Sequence, residues 1–434
     1  MLPELKTAVP GPASLDLAAR LRAVECRNTT FTSPDWPVFW ERAVGTNVWD
    51  ADGNRYLDLT SAFGVTGLGH GFAKNAATHQ AANLLHAMGD VHPARLKVEL
   101  CEKLSAITYG RWTGESGKVL LGNSGFEAVE SAIKTAVLAT GKSGILAFEN
   151  AYHGLGYGAL LGAGIPWFRE PFEDQLAAVT RRLEFPHAGD PASVENFRRG
   201  LAATDPVGIA AVLAEPMQGR GGIVVPHSSF LSELREWCDL HGVLLILDEI
   251  YTGFHRTGAL FACEHEKIVP DLICLGKALS GGFPISACVG KSSLMDSWPE
   301  STGEALHTST FLGNPVGCAM AIASIDQHAA EETAERVAET AALLDRALRR
   351  IIHPMIREIR GVGLMRGIEL RGANGAPSGA VAIGMVTRLL KEGLILLPDG
   401  PEGHVLALTP PFALSAEEIN FAVSRIEAAL PPVG

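Results

Sequence analysis

Residues 243–250 read Val-Leu-Leu-Ile-Leu-Asp-Glu-Ile, and residues 271–277 read Asp-Leu-Ile-Cys-Leu-Gly-Lys. Both contain short apolar runs without polar alternation, a pattern that is typical of buried parallel strands. The first run ends at Asp248, and the second ends just before Lys277. Because ligands of open α/β sheets bind beyond the carboxyl ends of the strands, we expect this acid and this amine to face one crevice.

The surrounding sequence alternates between strand-like and helical runs from about residue 73 onward. Further strand-like runs occur at residues 118–121, 145–148 and 209–213. Such alternation predicts an α/β fold with a mostly parallel, doubly wound sheet. We therefore assign residues 73–322 to one large domain.

The first 72 residues predict part of a smaller α+β domain. An early helix is indicated by apolar residues at helical spacing, which are Leu15, Leu17, Leu21 and Val24. An Asp-Gly turn at Asp52 and Gly53 indicates a β-hairpin over residues 48–59.

Residues 323–434 predict the rest of that smaller domain. A long helix is expected from Ile325 to Leu348, followed by short strands and two further helices. The last helix opens with a capping box formed by Ser415 and Glu418.

Composition and charge argue against several classes of protein. The 434 residues carry a net charge of −12, whereas binding to nucleic acid or to an anionic membrane favours a basic surface. No apolar run is long enough to span a membrane, and the N-terminus lacks a signal pattern. The seven cysteines are scattered singly, which favours reduced thiols over a disulfide framework or a metal site. We expect a soluble cytoplasmic protein without a bound metal.

A helix start after one strand-like run offers a candidate phosphate site. The segment reads Asn-Ser-Gly-Phe-Glu over residues 123–127, and its helix is expected to end at Thr140. The free N–H groups and the positive dipole of a helix N-terminus favour phosphate. Ser124 and Glu127 also match a capping box, and most capping boxes bind nothing. A phosphate site and a plain helix cap both remain open here.

Two further strand ends carry side chains that could serve the same crevice. Tyr152 follows the run at residues 145–148, where an aromatic ring can stack on a planar ligand or belong to the core. Glu215 follows the run at residues 209–213, and a buried carboxylate there either has a structural role or orients a site.

Together, these groups suit a pyridine aldehyde cofactor. Asp248 beside a pyridine nitrogen would keep that nitrogen protonated, and the protonated ring would stabilise a carbanion. Lys277 would hold the aldehyde as a Schiff base and then move a proton. A P-loop lysine is excluded, because Asp271 and Ala278 stand where that motif needs Gly and Ser or Thr. A strand-end lysine or acid alone is usually a solvated residue, so the complementary set carries the argument.

In their order along the chain, these motifs make the sequence similar to the class III aminotransferases, which are pyridoxal 5'-phosphate enzymes of fold type I. The resemblance covers nearly the whole chain. The segments that carry it are Asn123–Thr140, Ala151–Gly154, Glu215–Gly222, Leu247–Gly258, Pro270–Gly290 and Ser309–Pro315.

The resemblance implies a role for each matching residue. Lys277 forms the Schiff base, Asp248 pairs with the pyridinium, and the ring lies between Tyr152 and Ile250. The other implied cofactor contacts are Ser124, Gly125 and Phe126 at the phosphate, Glu215 and Gln218 as supports of Asp248 and a cofactor oxygen, His153, and Thr310 at the phosphate of the neighbouring subunit. The resemblance thus implies a homodimer with shared active sites.

Three positions depart from the family members that act on 4-aminobutyrate or ornithine-like substrates. Leu155 and Ala407 stand where those members carry arginines, and Arg220 stands where they carry Glu. We hypothesise that Arg220 binds the carboxylate of a 2-oxo acid in a bidentate contact. Pairing of Arg220 with a surface acid is the alternative, and Arg366 is a second candidate for the substrate contact.

We therefore expect an aminotransferase that moves an amino group from an amine or amino-acid donor to a 2-oxo acid by a ping-pong mechanism. Less charged amines are the expected donors, rather than 4-aminobutyrate or ornithine. An aminomutase or an amino-acid epimerase of the same family is the alternative. A binding protein without catalysis is least favoured, because Lys277 and Asp248 are both present.

Overall fold

The computed structural model describes residues 1–432 and divides the chain into two units. The smaller unit combines Met1–Phe72 with Glu335–Gly434, and the larger unit is Ala73–Ala334. The boundary expected after residue 322 falls instead within a helix of the larger unit.

The N-terminal part of the smaller unit contains a helix, three strands and a tight turn. These are α1 (Pro12–Val24), β1 (Trp40–Val44), β2 (Asn47–Asp50), β3 (Arg55–Asp58) and α2 (Ser61–Gly64). The predicted hairpin is confirmed, since β2 pairs antiparallel with β3 and places Val48 opposite Tyr56. Gly53 forms its turn with a φ of +80°, a conformation that costs glycine little.

Helix α1 is present where the sequence predicts it, but its predicted apolar face was wrong. Ser14 and Ala18 are buried, whereas Leu15 and Val24 are exposed. The Asp52 carboxylate accepts hydrogen bonds from the backbone N–H groups of Ala13 (2.7 Å) and Ser14 (2.9 Å). A distant loop thus caps this helix and sets which face turns inward.

The larger unit is built around a seven-stranded sheet with the order β4-β10-β9-β8-β7-β5-β6. Its strands are β4 (Gly117–Gly122), β5 (Gly144–Phe148), β6 (Thr180–Leu183), β7 (Ile209–Ala214), β8 (Leu244–Asp248), β9 (Leu272–Leu275) and β10 (Ser286–Lys291). Strands β5 to β9 pair in parallel, and β10 runs antiparallel to both of its neighbours. This arrangement confirms the mostly parallel sheet.

Helices and short helical turns connect these strands. They are α3 (Lys74–Asn83), α4 (Arg95–Ser105), α5 (Arg111–Thr113), α6 (Gly125–Thr140), α7 (Tyr157–Leu160), α8 (Pro166–Arg169), α9 (Pro191–Ala203), α10 (Phe230–His241), α11 (Ser292–Met295) and α12 (Pro315–His328). A π-helical turn covers Ala106–Gly110, and 3₁₀ turns cover Glu170–Gln175, Ala262–His265 and Lys277–Leu279.

Both faces of the sheet are covered, as alternate residues of β8 show. Leu245 and Leu247 belong to one hydrophobic cluster and Ile246 to another, and all three are fully buried. The sheet is therefore doubly wound, as the sequence predicts. Since β8 and β9 pair in parallel, Asp248 and Lys277 lie at the same edge of the sheet.

The C-terminal part contains α13 (Glu331–Leu348), β11 (Ile356–Val362), β12 (Met365–Leu370), α14 (Gly379–Leu390), β13 (Leu394–Ile395), β14 (Leu397–Asp399), β15 (Val405–Leu408) and α15 (Ala416–Ala429). An antiparallel sheet has the order β11-β12-β15-β14, and β13 pairs in parallel with β3. The predicted capping box of Ser415 and Glu418 opens α15. Residues 433 and 434 of the predicted small domain lie outside the described residues.

The single long helix expected from Ile325 to Leu348 was wrong, because the chain forms α12 and α13 instead. The break contains neither Gly nor Pro, so the pattern gave no stop signal. In the structure, the Thr333 hydroxyl donates to the Gln327 carbonyl oxygen (2.7 Å) across the break.

Within residues 1–432, no helix has both the length and the apolar character needed to cross a bilayer.

Candidate active site

A cavity of about 370 Å³ lies in the larger unit, at the edge of the sheet where β8 and β9 end. It brings together residues from five separate segments of the chain, which follow β4, β5, β7, β8 and β9. Its lining consists of Gly125, Phe126, Tyr152, His153, Gly154, Leu155, Glu215, Arg220, Asp248, Ile250, Tyr251, Thr252 and Lys277. Ten of these were candidates from the sequence, so the predicted crevice beyond the strand ends is present.

Asp248 ends β8 and is held from two sides. Its Oδ1 accepts a hydrogen bond from the backbone N–H of Ile250 (3.0 Å), and its Oδ2 lies 2.8 Å from Nδ1 of His153. Burial disfavours the His153 imidazolium, but the hydrogen bond and charge of Asp248 outweigh burial and raise the pKa of His153. Asp248 therefore favours the charged form of His153, and both residues line the cavity.

Glu215 lies close to this pair and links two loops. Its Oε2 accepts from the backbone N–H of Tyr152 (3.1 Å), and its Oε1 accepts from that of Gly219 (3.1 Å). Burial raises the pKa of Glu215 to about 7, with the charge of Asp248 adding to the rise and that of His153 opposing it. Glu215 thus connects the loop that carries Tyr152 to the loop after β7, in which Gly219 directly precedes Arg220.

Lys277 follows the carboxyl end of β9 and has a strained backbone conformation. Its φ is +43°, a left-handed conformation that a side chain with a Cβ rarely adopts. The Nζ lies 4.0 Å from the centroid of the Tyr251 ring. Strain of this kind persists where the surrounding structure imposes it, often at functional sites.

The first two residues of α6, Gly125 and Phe126, form one end of the cavity. Glu127 accepts hydrogen bonds from the backbone N–H of Ser124 (2.9 Å) and from that of Asn123, as its capping-box position predicts. The Ser124 Oγ is buried and has no hydrogen-bond partner among the described residues. The predicted C-terminal end at Thr140, followed by Gly141 with a φ of +66°, is also present.

These groups fit pyridoxal phosphate. A buried hydroxyl without a partner and first-turn N–H groups suit its phosphate, since both are donors at the positive end of a helix. A Cβ at Gly125 would lie 3.1 Å from Cδ1 of Ile250, so this glycine lets the helix start approach the ring site closely. An amine and a carboxylate line the same cavity. Within residues 1–432, no cluster of His, Cys, Asp and Glu has the arrangement of a metal site.

Besides Ser124, four candidate residues are absent from the lining of this cavity. Gln218 is buried, and its side-chain amide donates to the carbonyl oxygen of Glu149 (2.8 Å). Thr310 is exposed on the loop before α12. Ala407 lies in β15, and Arg366 in β12, of the other unit.

Arg366 already has partners within its own unit. Its guanidinium donates to Asp345 (2.7 Å) and to the backbone carbonyl oxygens of Gly361 (3.1 Å) and Gly363 (2.9 Å). A substrate carboxylate would have to compete with this ion pair. Its role as a substrate contact stays a prediction.

Sequence reasoning missed the contact between His153 and Asp248, and it missed three lining residues, which are Gly154, Tyr251 and Thr252. Tyr251 and Thr252 directly follow Ile250 in the loop after β8, so the nearness of that loop to Asp248 was the available signal. The contact between His153 and Asp248 spans 95 positions of the chain, and no local pattern indicates it.

Comparison with known proteins adds a family to this geometry. A family model described as aminotransferase class-III matches residues 31–430. A 4-aminobutyrate aminotransferase of Mycobacterium leprae is 36% identical, with 95% of each chain covered. An acetylornithine aminotransferase of Methanothermobacter thermautotrophicus is 35% identical over 89% of this chain and 92% of the relative. The structure of a PLP-bound amine transaminase from an uncultivated Pseudomonas species superposes with a TM-score of 0.83 at 28% identity, covering 94% of this chain and 98% of that one.

Proposed function

Because the chain belongs to the class-III aminotransferases and uses pyridoxal phosphate, we propose that it transfers the amino group of a weakly charged amine or amino acid to a 2-oxo acid. The route proposed is a ping-pong exchange, in which the donor half-reaction is complete before the acceptor binds. Neither 4-aminobutyrate nor ornithine is the proposed donor.

The cofactor supplies an electrophilic carbonyl and an electron-withdrawing ring when it is bound. Lys277 is the residue that would hold it covalently through Nζ, and the same amine, once displaced, would move the proton at the substrate carbon. Asp248 would keep a proton on the ring nitrogen, and its pairing with His153 keeps that carboxylate oriented. Ser124 and the N–H groups of α6 would hold the phosphate.

The observation that carries the proposed donor class is that Leu155 and Arg220 line the same cavity as Lys277. Leu155 makes one wall of the site apolar, so a donor carboxylate finds no cationic partner there. Burial raises the pKa of the Tyr152 phenol, and the positive charge of Arg220 acts in the opposite direction. Arg220 therefore lies close to Tyr152. A guanidinium in this position suits the carboxylate that every 2-oxo acid carries.

A panel of donors and acceptors with a spectroscopic readout tests this proposal. Neutral amines alone should convert the holoenzyme to its aminated form faster than glutamate or 4-aminobutyrate does. Arg220→Ala should raise the KM for pyruvate and 2-oxoglutarate by about tenfold, the loss of a charged hydrogen bond, and leave the donor half-reaction intact. The matched variant Leu155→Arg should shift preference toward donors with a second carboxylate.

Other outcomes would reject it. Preference of the wild type for glutamate or 4-aminobutyrate rejects the donor class, and an unchanged KM in Arg220→Ala rejects the acceptor contact. Conversion of an amino acid to its mirror image or positional isomer, without transfer to an acceptor, would identify the enzyme as an epimerase or aminomutase.

The proposed assembly is a homodimer in which Thr310 contacts the cofactor phosphate of the neighbouring subunit. Exposure of Thr310, and of the neighbouring Phe311 and Leu306, supports this. The proposed location is the cytoplasm, which agrees with seven cysteines that are all free. Light scattering that gives a monomer mass for the active holoenzyme would exclude the dimer.

A further inference from the structure

A second cavity, of about 230 Å³, lies in the larger unit and shares no lining residue with the candidate active site. The polar part of its wall consists of two arginines, Arg169 and Arg182, together with Thr180 and one acid, Glu173. Leu160, Leu161 and Leu176 form an apolar part of the same wall. The volume is several times the roughly 30 Å³ that one water occupies, so a small organic molecule fits.

Two buried donors in this cavity have no partner among residues 1–432. They are the Nε of Arg169 and the Oγ1 of Thr180. Glu173 of the same wall places its Oε1 3.4 Å from Nη1 of Arg169, and the Glu173 side chain is 61% exposed. That contact is long and leaves the Nε–H unused. Buried donors without partners are uncommon in folded proteins, and a bound water or ion is one of their explanations.

Arg182 contributes a second positive charge, and hydrogen bonds to the backbone hold its guanidinium in place. Its Nε donates to the carbonyl oxygen of Ala163 (3.1 Å) and its Nη2 to that of Leu161 (2.8 Å). Burial and then the charge of Arg169 lower the pKa of Arg182 to about 10. Two guanidinium groups held together in this way attract an anion.

We propose that this cavity binds a small aliphatic carboxylate. One oxygen accepts from the Arg169 Nε–H and the other from the Thr180 hydroxyl, while the hydrocarbon tail packs on Leu160, Leu161 and Leu176. A tailless anion would satisfy the donors but leave this apolar wall uncovered, which is why a carboxylate with a tail is the better match.

A segment beside this cavity packs against His153 of the candidate active site. A Cβ at Gly162 would lie 3.0 Å from Cδ2 of His153, so the segment that Arg182 fixes packs against this ring. Burial and the charge of Arg182 both act to lower the pKa of His153, but the hydrogen bond and charge of Asp248 outweigh them, so the pKa is raised. An anion beside Arg182 would offset this effect and favour the charged pair of His153 and Asp248.

Calorimetry on the purified holoenzyme tests the proposal, with 4-methylpentanoate as the probe. Its neutral amide and inorganic phosphate serve as the two comparison ligands. Arg169→Gln should weaken binding of the acid by about tenfold, and Thr180→Val by a few fold, because each removes one hydrogen bond to the anion. Arg181→Gln is the matched control, since this exposed arginine donates to the Asp205 carbonyl oxygen instead. It should change binding less than twofold.

Several results would overturn the proposal. They are no measurable binding, equal binding of the acid and its amide, or unchanged binding in both cavity variants. Phosphate binding as tightly as the acid would reject the role of the apolar wall. Loss of the same binding event in Arg220→Ala, but not in Arg169→Gln, would place the acid in the active site. If Arg169→Gln does not fold, Thr180→Val, which is nearly the same shape, decides the question.

Discussion

Nδ1 of His153 lies 2.8 Å from Oδ2 of Asp248, and both side chains are buried. Because the pKa of His153 is raised in the fold, the pair stabilises the protein fully below the unfolded pKa of about 6.5. That stability is lost as the pH rises through the folded-state pKa. We predict that His153→Gln lowers the stability by about 1.5–3 kcal/mol at pH 6, the worth of a charged hydrogen bond.

Urea denaturation of the holoenzyme at a series of pH values measures this difference. The gap between wild type and His153→Gln should narrow above pH 6.5. His79→Gln, at an exposed position of α3, is the control and should run parallel to the wild type. A gap that stays constant with pH would mean that His153 is neutral in the folded protein.

Glu215 should give a pH dependence in a lower window. Its pKa is raised by burial to about 7, against an ordinary value of 4.5. Between these values the folded protein holds a proton that the unfolded chain releases, so stability falls as the pH rises from 4.5 to 7. A shift of this size corresponds to about 3 kcal/mol. We predict that Glu215→Gln removes most of this fall.

Glu236→Gln, at an exposed position of α10, is the matched control for that experiment. It should keep the wild-type profile over the same range. A Glu215→Gln profile that is identical to wild type would show that the carboxylate is ionised in the fold at pH 5, contrary to the burial argument.

The sequence was sufficient for the features that depend on residues close together in the chain. Asp248 and Lys277 each follow a buried strand, and parallel pairing of those strands necessarily brings their ends to one edge of the sheet. The position of Ser124 at the start of α6 follows from its local capping pattern in the same way.

Features that depend on distant residues could not be predicted. The rotation of α1 is set by Asp52, which lies 39 positions beyond the Ala13 N–H that it binds. The pairing of His153 with Asp248 and the bridging role of Glu215 also depend on strands that are adjacent only after folding. Periodicity shows where a helix is, but a tertiary contact can decide which face is buried.

Ser124 allows a separation of binding from stability. Since its buried Oγ has no hydrogen-bond partner among the described residues, Ser124→Ala removes no internal bond. We predict that the apoenzyme keeps its stability, while the Kd for pyridoxal phosphate rises by about tenfold through loss of one hydrogen bond to a charged group. Cofactor titration and denaturation of the apoenzyme measure the two quantities.

Ser415→Ala should give the opposite result. Its Oγ accepts from the Glu418 N–H (3.2 Å) at the start of α15, so its loss should cost about 1 kcal/mol of stability and leave cofactor affinity unchanged. If Ser124→Ala instead lowered stability and left the Kd unchanged, Ser124 would be a plain helix cap.

Lys277 combines a chemical role with an unusual backbone, and two substitutions separate these. Lys277→Ala and Lys277→Gly both remove the amine, so both should lose catalysis and the absorbance at ~420 nm of the lysine-bound cofactor. They should differ in stability, because a φ of +43° suits glycine and strains alanine. We predict that Lys277→Gly is the more stable of the two by about 1 kcal/mol.

Lys134 provides the control, because it lies within α6, where glycine is the poorer residue. There the order should reverse, with Lys134→Ala more stable than Lys134→Gly by about 1 kcal/mol. The same order at both positions would show that Lys277 does not keep its left-handed conformation in solution. Greater stability of Lys277→Gly than of Lys277→Ala, together with the opposite order at Lys134, would show that the fold imposes this conformation even when the amine is absent. The site would then position Nζ before any ligand binds.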